Sequence, residues 1–130
     1  MKWHYVCPKC GERRTVEWDD RDSSRICHKT KQSYTPPTPA EQFDGYVDTH
    51  EWPVEMEDVV VRVKGKSCTV PGCQQRYQTL DHRVPWSKAG KTSVNNLFPM
   101  CNEHNQSKSD STYETWLLIT MFGEEDAKSL

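Results

Sequence analysis

Asp81 and His82 are consecutive in the stretch Leu80-Asp81-His82-Arg83-Val84-Pro85. Asn96 follows fourteen residues after His82, Asn105 nine residues later, and Lys108 three after that. A carboxylate, an imidazole, two amides and a lysine make a poor core and a good phosphodiester hydrolase. That reaction needs a hard divalent cation held by few protein ligands, so that phosphate can bind to it as well. It also needs a base near neutrality, which an unperturbed imidazole supplies at a pKa of about 6.5. Taken singly, each residue has a structural use: Asp81 as a turn carboxylate, His82 as a satisfied half-buried ring, Asn96 and Asn105 as caps. The case for chemistry rests on their combination and on the residues around them.

Those surroundings carry metal-ligand spacings. Cys68-x4-Cys73 is followed by Cys101-x2-His104, two close pairs of soft or borderline ligands that suit a closed tetrahedral zinc site. Pro71-Gly72 puts the first pair on a turn, and the second pair opens a helix with both ligands on one face. Cys7-Pro8-Lys9-Cys10-Gly11 has the shape of a zinc knuckle, and Cys27 with its neighbour His28 is the second half available. His4 competes with His28 for the fourth place. The Cys count is even, so three disulfides are formally open. The start of the chain has no apolar stretch of secretory type, which favours a reducing cell interior and metal over disulfide.

The segment from Cys68 to about Trp116 resembles the HNH endonucleases, with their ββα-metal fold. The resemblance rests on the pair Cys68/Cys73, Asp81-His82, Asn96-Leu97, Cys101 with His104, then Asn105 and Lys108. Asn105 at the last position, and the run Asn105-Gln106-Ser107-Lys108-Ser109-Asp110, are similar to the HNH domains of RNA-guided CRISPR nucleases. His104 stands where many relatives place a zinc-binding Cys. The resemblance implies a metal-dependent DNA endonuclease of phage or mobile-element type, acting in the cytoplasm of a host cell. It implies His82 as general base, with Asn96 (or its neighbour Asn95) orienting the imidazole. It assigns Asp81 and Asn105 to one Mg²⁺ or Mn²⁺, and Lys108, with Arg83, to phosphate. The products would carry 5′-phosphate and 3′-hydroxyl ends. A structure-selective nuclease for branched DNA, and a zinc-stabilised DNA-binding module without catalysis, are the alternative readings.

The elements that must position these groups are sparse. The chain has 130 residues, and Leu, Ile, Val and Phe together make about 16% of it, below the roughly 20% at which an ordinary core becomes doubtful. Mean hydropathy is −0.92. The composition therefore implies a fold stabilised by zinc. The fold class expected is α+β, a small ββα-metal module preceded by a zinc-ribbon-like segment. The ribbon covers 1–33, a Pro-containing and then acidic linker 34–58, the nuclease domain 59–123 and an acidic tail 124–130. Strands are predicted at 59–63, 80–84 and 96–100. A helix is predicted over 112–122, opened by the capping box Ser111-x-x-Glu114 and stopped by Gly123.

The formal net charge is −2, which taken whole argues against a nucleic-acid partner. By segment it is +3 over 1–40, −7 over 41–61, +6 over 62–108 and −4 over 109–130. The basic centre, with Lys64, Lys66, Arg76, Arg83, Lys88 and Lys91, is a phosphate-seeking surface. Trp86 is open to stacking on a base or plugging the core. The N-terminal zinc segment is open to contact with DNA or with a protein partner. The acidic stretch reads as a solvated linker or as a DNA mimic folded over the basic centre. No stretch is apolar enough to span a membrane.

Overall fold

The computed structural model describes residues 1–122; Gly123 and the acidic tail lie outside the described residues. The chain forms two units, Met1–Val59 with Lys91–Asn95, and Val60–Gly90 with the chain from Asn96.

In the first unit, β1 (Lys2–Val6) runs antiparallel to β2 (Arg13–Glu17), from Lys2 opposite Glu17 to Val6 opposite Arg13. Alternation along β1 turns Trp3, Tyr5 and, just beyond it, Cys7 inward. Trp3 is fully buried, with Trp18 edge-on at 5.6 Å. Its Nε1 donates to the carbonyl of Pro37 at 2.9 Å. The proline run is extended, as its chemistry requires, and it is also packed: Pro36, Pro37 and Pro39 are buried. A hairpin of β3 (Arg25–Ile26) and β4 (Ser33–Tyr34) precedes that run, and the hydroxyls of Tyr34 and Tyr5 are hydrogen-bonded at 2.9 Å.

β5 (Tyr46–Val47) pairs with the other edge of β1. The acidic stretch 41–61 thus holds a strand and much of α1 (Val54–Lys64). Several of its carboxylates have local partners. Asp48 accepts from the Lys2 amide, Glu55 pairs with Arg21, and Glu57 accepts from the Trp52 indole.

The strand predicted at 59–63 is part of this helix, and the reason is visible. Met56, Val59 and Val60 are buried at helical spacing, Glu55 and Glu57 sit in the first turn, and Arg62 and Lys64 in the last. That pattern outweighs the modest strand preference of four valines. The helix ends where the Gly65 amide donates to the Val61 carbonyl.

In the second unit, β6 (Thr79–His82) runs antiparallel to β8 (Leu97–Met100), with Asp81 opposite Phe98 and His82 opposite Leu97. These strands overlap those expected at 80–84 and 96–100, but β6 ends at His82, and Arg83 and Val84 lie in the bend beyond it. Between β6 and β8 in the chain, β7 (Thr92–Ser93) joins the first unit, completing a four-stranded antiparallel sheet in the order β2-β1-β5-β7. After β8 come α2 (Asn102–Lys108) and α3 (Tyr113–Phe122). The cap of α3 is Thr112 rather than Ser111: its carbonyl accepts from the Trp116 amide and its hydroxyl from the Thr115 amide. Cys68, Met100, Cys101 and Trp116 form a small buried cluster, flanked by Phe98, Tyr113 and Leu117.

Of β1, only Trp3 and His4 pair with β5, which leaves the end of β1 short of a neighbour on that edge. Gln42 supplies one. Its Oε1 accepts from the Val6 amide at 2.9 Å and its Nε2 donates to the Val6 carbonyl at 2.7 Å. Gln42→Ala orphans both main-chain groups, so we expect a loss of about 1–3 kcal/mol in urea denaturation followed by Trp fluorescence. An unchanged midpoint would show that water replaces the amide without penalty.

Candidate active site and metal centres

The second unit is framed by Cys68, Cys73, Cys101 and His104, whose ligand atoms all lie within 4.8 Å of one another. His104 presents Nδ1, which is 3.5 Å from Cys68 Sγ and 3.3 Å from Cys101 Sγ. Ligands on a tetrahedral zinc, with Zn–S bonds of about 2.3 Å, lie roughly 3.5–3.8 Å apart, so the set fits that ion. Local chain geometry places each donor. The Cys68 amide donates to Gln75 and the Cys73 amide to Val70, closing the turn that carries Gly72. Cys101 caps α2, and the three-residue step to His104 keeps both on one face. Burial pushes the Cys68 thiol above its usual range. None of the six cysteines forms a disulfide.

The chemistry-bearing residues stand on β6 and α2. Alternation puts Leu80 and His82 on the buried face and Asp81 on the other. His82 is 3% exposed, and Trp86 stands edge-on to its ring at 6.2 Å. Trp86 is therefore a wall of the imidazole's pocket.

Lys108 differs most from expectation. Read as a phosphate contact, it is 1% exposed: its Nζ lies 2.9 Å from Asp81 Oδ2 and donates to the His82 carbonyl at 3.0 Å. The i, i+3 spacing that predicted one helix face holds, but that face turns toward β6. A short helix packed on the strand buries the ammonium against the Asp81 carboxylate. Asp81 Oδ2 is buried and, although ion-paired, makes no well-aligned hydrogen bond. A buried carboxylate oxygen with this spare capacity suits a hard cation. Asn105 lies on α2 one turn before Lys108 and is half-buried.

Asn96 works on the main chain. Its Oδ1 accepts from the Val84 amide and its Nδ2 donates to the Val84 carbonyl, both at 3.0 Å. Its own carbonyl accepts from the Arg83 amide at 2.7 Å. The turn leaving His82 is thereby fixed. Asn95, the alternative to Asn96, is exposed and belongs to the other unit. Gly90 packs on the same turn, and a Cβ there would stand 1.7 Å from the Val84 carbonyl oxygen. Its isolated position in a polar loop gave no sequence signal beyond that of a loop glycine.

Several surface cations are engaged. The Arg83 guanidinium pairs with Glu114. Lys64 donates to the Leu97 carbonyl and lies over the Phe98 ring; burial and the Arg83 charge bring its ammonium down to about 8. Lys91 stands 3.9 Å over the Tyr46 ring in the first unit. Lys88 is exposed on a short 3₁₀ turn after Pro85.

In the first unit, Cys7, Cys10 and Cys27 also present their sulfurs within 4.8 Å of one another. Neither histidine considered for the fourth place joins them. His28 is exposed, and His4 stacks on Tyr46 and bonds Thr15.

An antiparallel strand pair followed by a helix, built around a cysteine–histidine cluster able to hold a metal ion, defines the second unit as a small α+β module. Residues 66–111 match the HNH endonuclease family model, which bears out the resemblance read from that segment. No curated protein and no solved structure matches the chain. Among the described residues, no helix is long and apolar enough to cross a membrane.

Two outcomes follow from this geometry. A chelator strong enough to strip zinc should unfold the second unit, seen as loss of helical circular dichroism, because so small a core depends on the ligand cluster. Retention of the helix signal in metal-free protein would refute that dependence. Gly90→Ala should lower stability by at least about 1–3 kcal/mol, since the intruding carbon meets backbone rather than a movable side chain.

Proposed function

We propose that the chain is a metal-dependent DNA endonuclease whose reaction centre is Asp81, His82 and Asn105, with Lys108 and Asn96 as positioning residues. The observation that carries this reading is the juncture of Lys108 with both Asp81 and the main chain of His82. One buried ammonium thereby fixes a carboxylate and an imidazole-bearing residue relative to α2.

A divalent cation such as Mg²⁺ or Mn²⁺ would be held by Asp81 and Asn105, and would supply charge neutralisation at a non-bridging phosphate oxygen and the leaving 3′ oxygen. The rest falls to the protein. The His82 imidazole accepts the proton of the attacking water, whose oxygen forms a bond to phosphorus as the bond to the 3′ oxygen breaks. The products are a 5′-phosphate and a 3′-hydroxyl. The turn clamped by Asn96 keeps the His82 main chain from shifting, and Trp86 limits the freedom of the ring. Lys108 stays on Asp81, because its burial leaves no path to phosphate. Lys88 on the exposed turn is the better phosphate contact, with Arg83 available once Glu114 releases it. Zinc at Cys68, Cys73, Cys101 and His104 serves the fold alone, since all four corners are protein.

The deciding experiment incubates the full chain with supercoiled plasmid and Mg²⁺ or Mn²⁺. The parent should nick or linearise the plasmid. His82→Ala should reduce the rate by at least about 10²-fold, the typical contribution of a general base, with zinc content unchanged. Lys108→Met should also lower the rate, with partial recovery at high Mn²⁺, because it loosens Asp81 without removing a group from the reaction. If His82→Ala cuts as fast as the parent, the assignment of the base is wrong.

A further inference from the structure

The cysteine cluster of the first unit is built from two chain turns with the same backbone design. In the first, Cys7-Pro8-Lys9-Cys10, the Cys7 amide donates to the Glu12 carbonyl at 2.8 Å and the Gly11 amide to the Cys7 carbonyl at 2.9 Å. In the second, Cys27-His28-Lys29-Thr30, the Cys27 amide donates to Gln32 at 2.9 Å and the Lys31 amide to Cys27 at 2.8 Å. The residue closing each turn has positive φ, +80° at Gly11 and +62° at Lys31. A lysine in that region is strained, and such strain persists only where the surroundings impose it. Each turn follows a strand and ends before one, and the Glu12–Lys29 ion pair at 3.1 Å ties the two together.

Superposing the turns by their hydrogen bonds puts Cys27 on Cys7 and Thr30 on Cys10. Thr30 thus holds the corner where a second Cys-x2-Cys pair would place its last thiolate. Its amide donates to Cys27 Sγ at 3.4 Å, and its hydroxyl accepts from the Gln32 amide at 3.3 Å. A donor to a ligand sulfur supports that ligand from outside the coordination sphere.

We infer that Cys7, Cys10 and Cys27 form a second zinc site with three thiolates and an open fourth position facing Thr30, filled by solvent. Closed structural sites use four protein ligands, whereas three leave the metal exchangeable and able to take an external donor. Cys10, the least buried of the three sulfurs' residues, lies on the accessible side. This inference does not depend on the nuclease reading, since none of its residues belongs to the matched segment.

The test measures metal content and release in the full chain. The parent should bind two Zn²⁺, one of which transfers rapidly to a chromogenic chelator. Cys10→Ser should bind one, with the slowly released ion retained. Thr30→Cys should keep two and slow the fast release at least tenfold, by closing the site. Thr30→Ala, His28→Ala and His4→Ala should each keep two. A parent that binds a single ion, or a release rate unmoved by Thr30→Cys in protein with parental Trp fluorescence, overturns the site or its open corner. Loss of one ion in any of the three alanine variants identifies a fourth protein ligand and overturns it equally.

Discussion

A single buried ammonium ties α2 to β6. Lys108 reaches from α2 to the Asp81 carboxylate and to the His82 carbonyl, and it is almost wholly shielded from solvent. Burying such a charge is costly unless it is paired and hydrogen-bonded, so the helix, the strand and their separation are constrained together. If α2 rotated or slid by one residue, the ammonium would be left unpaired. The cysteine–histidine cluster fixes the same helix at its other end, through Cys101 and His104. Cys101 at its N-cap and His104 in its first turn join the cluster, and Lys108 in its last turn meets Asp81, which is how so short a helix holds its place.

Elsewhere the molecule compensates for short elements with side-chain amides. Gln42 pairs with both main-chain groups of Val6, and Asn96 does the same for Val84. In each case an amide stands in for a strand residue, offering one donor and one acceptor at ladder spacing. The device suits a chain with few apolar residues, because it stabilises a chain turn without a further hydrophobic layer. Asn96 thereby fixes the turn after His82 from across the strand pair.

The Cys68, Cys73, Cys101 and His104 cluster, the three cysteines of the first unit (without His28) and the Asp81-His82 strand were legible in the sequence because their signals are local. Ligand spacing and strand alternation depend on neighbours a few residues away. The strand expected at 59–63 failed for a nonlocal reason: the burial of Met56, Val59 and Val60 selects the helical period over the preference of the valines. The role of Lys108 was hidden in a related way. Spacing put it on the face of Asn105, but which side of that face meets β6 is decided only when the helix packs.

The sequence by itself determined the metal-ligand clusters, the antiparallel pair that carries Asp81 and His82, and the family to which residues 66–111 are matched. These follow from residue type and short-range spacing, which survive without a fold. The tertiary structure alone decided that Lys108 pairs with Asp81, that Asn96 clamps Val84, that the proline run is packed, and that neither His4 nor His28 joins the three cysteines of the first cluster. Each of these depends on which groups lose water and which partners they then find, and burial is a property of the assembled chain.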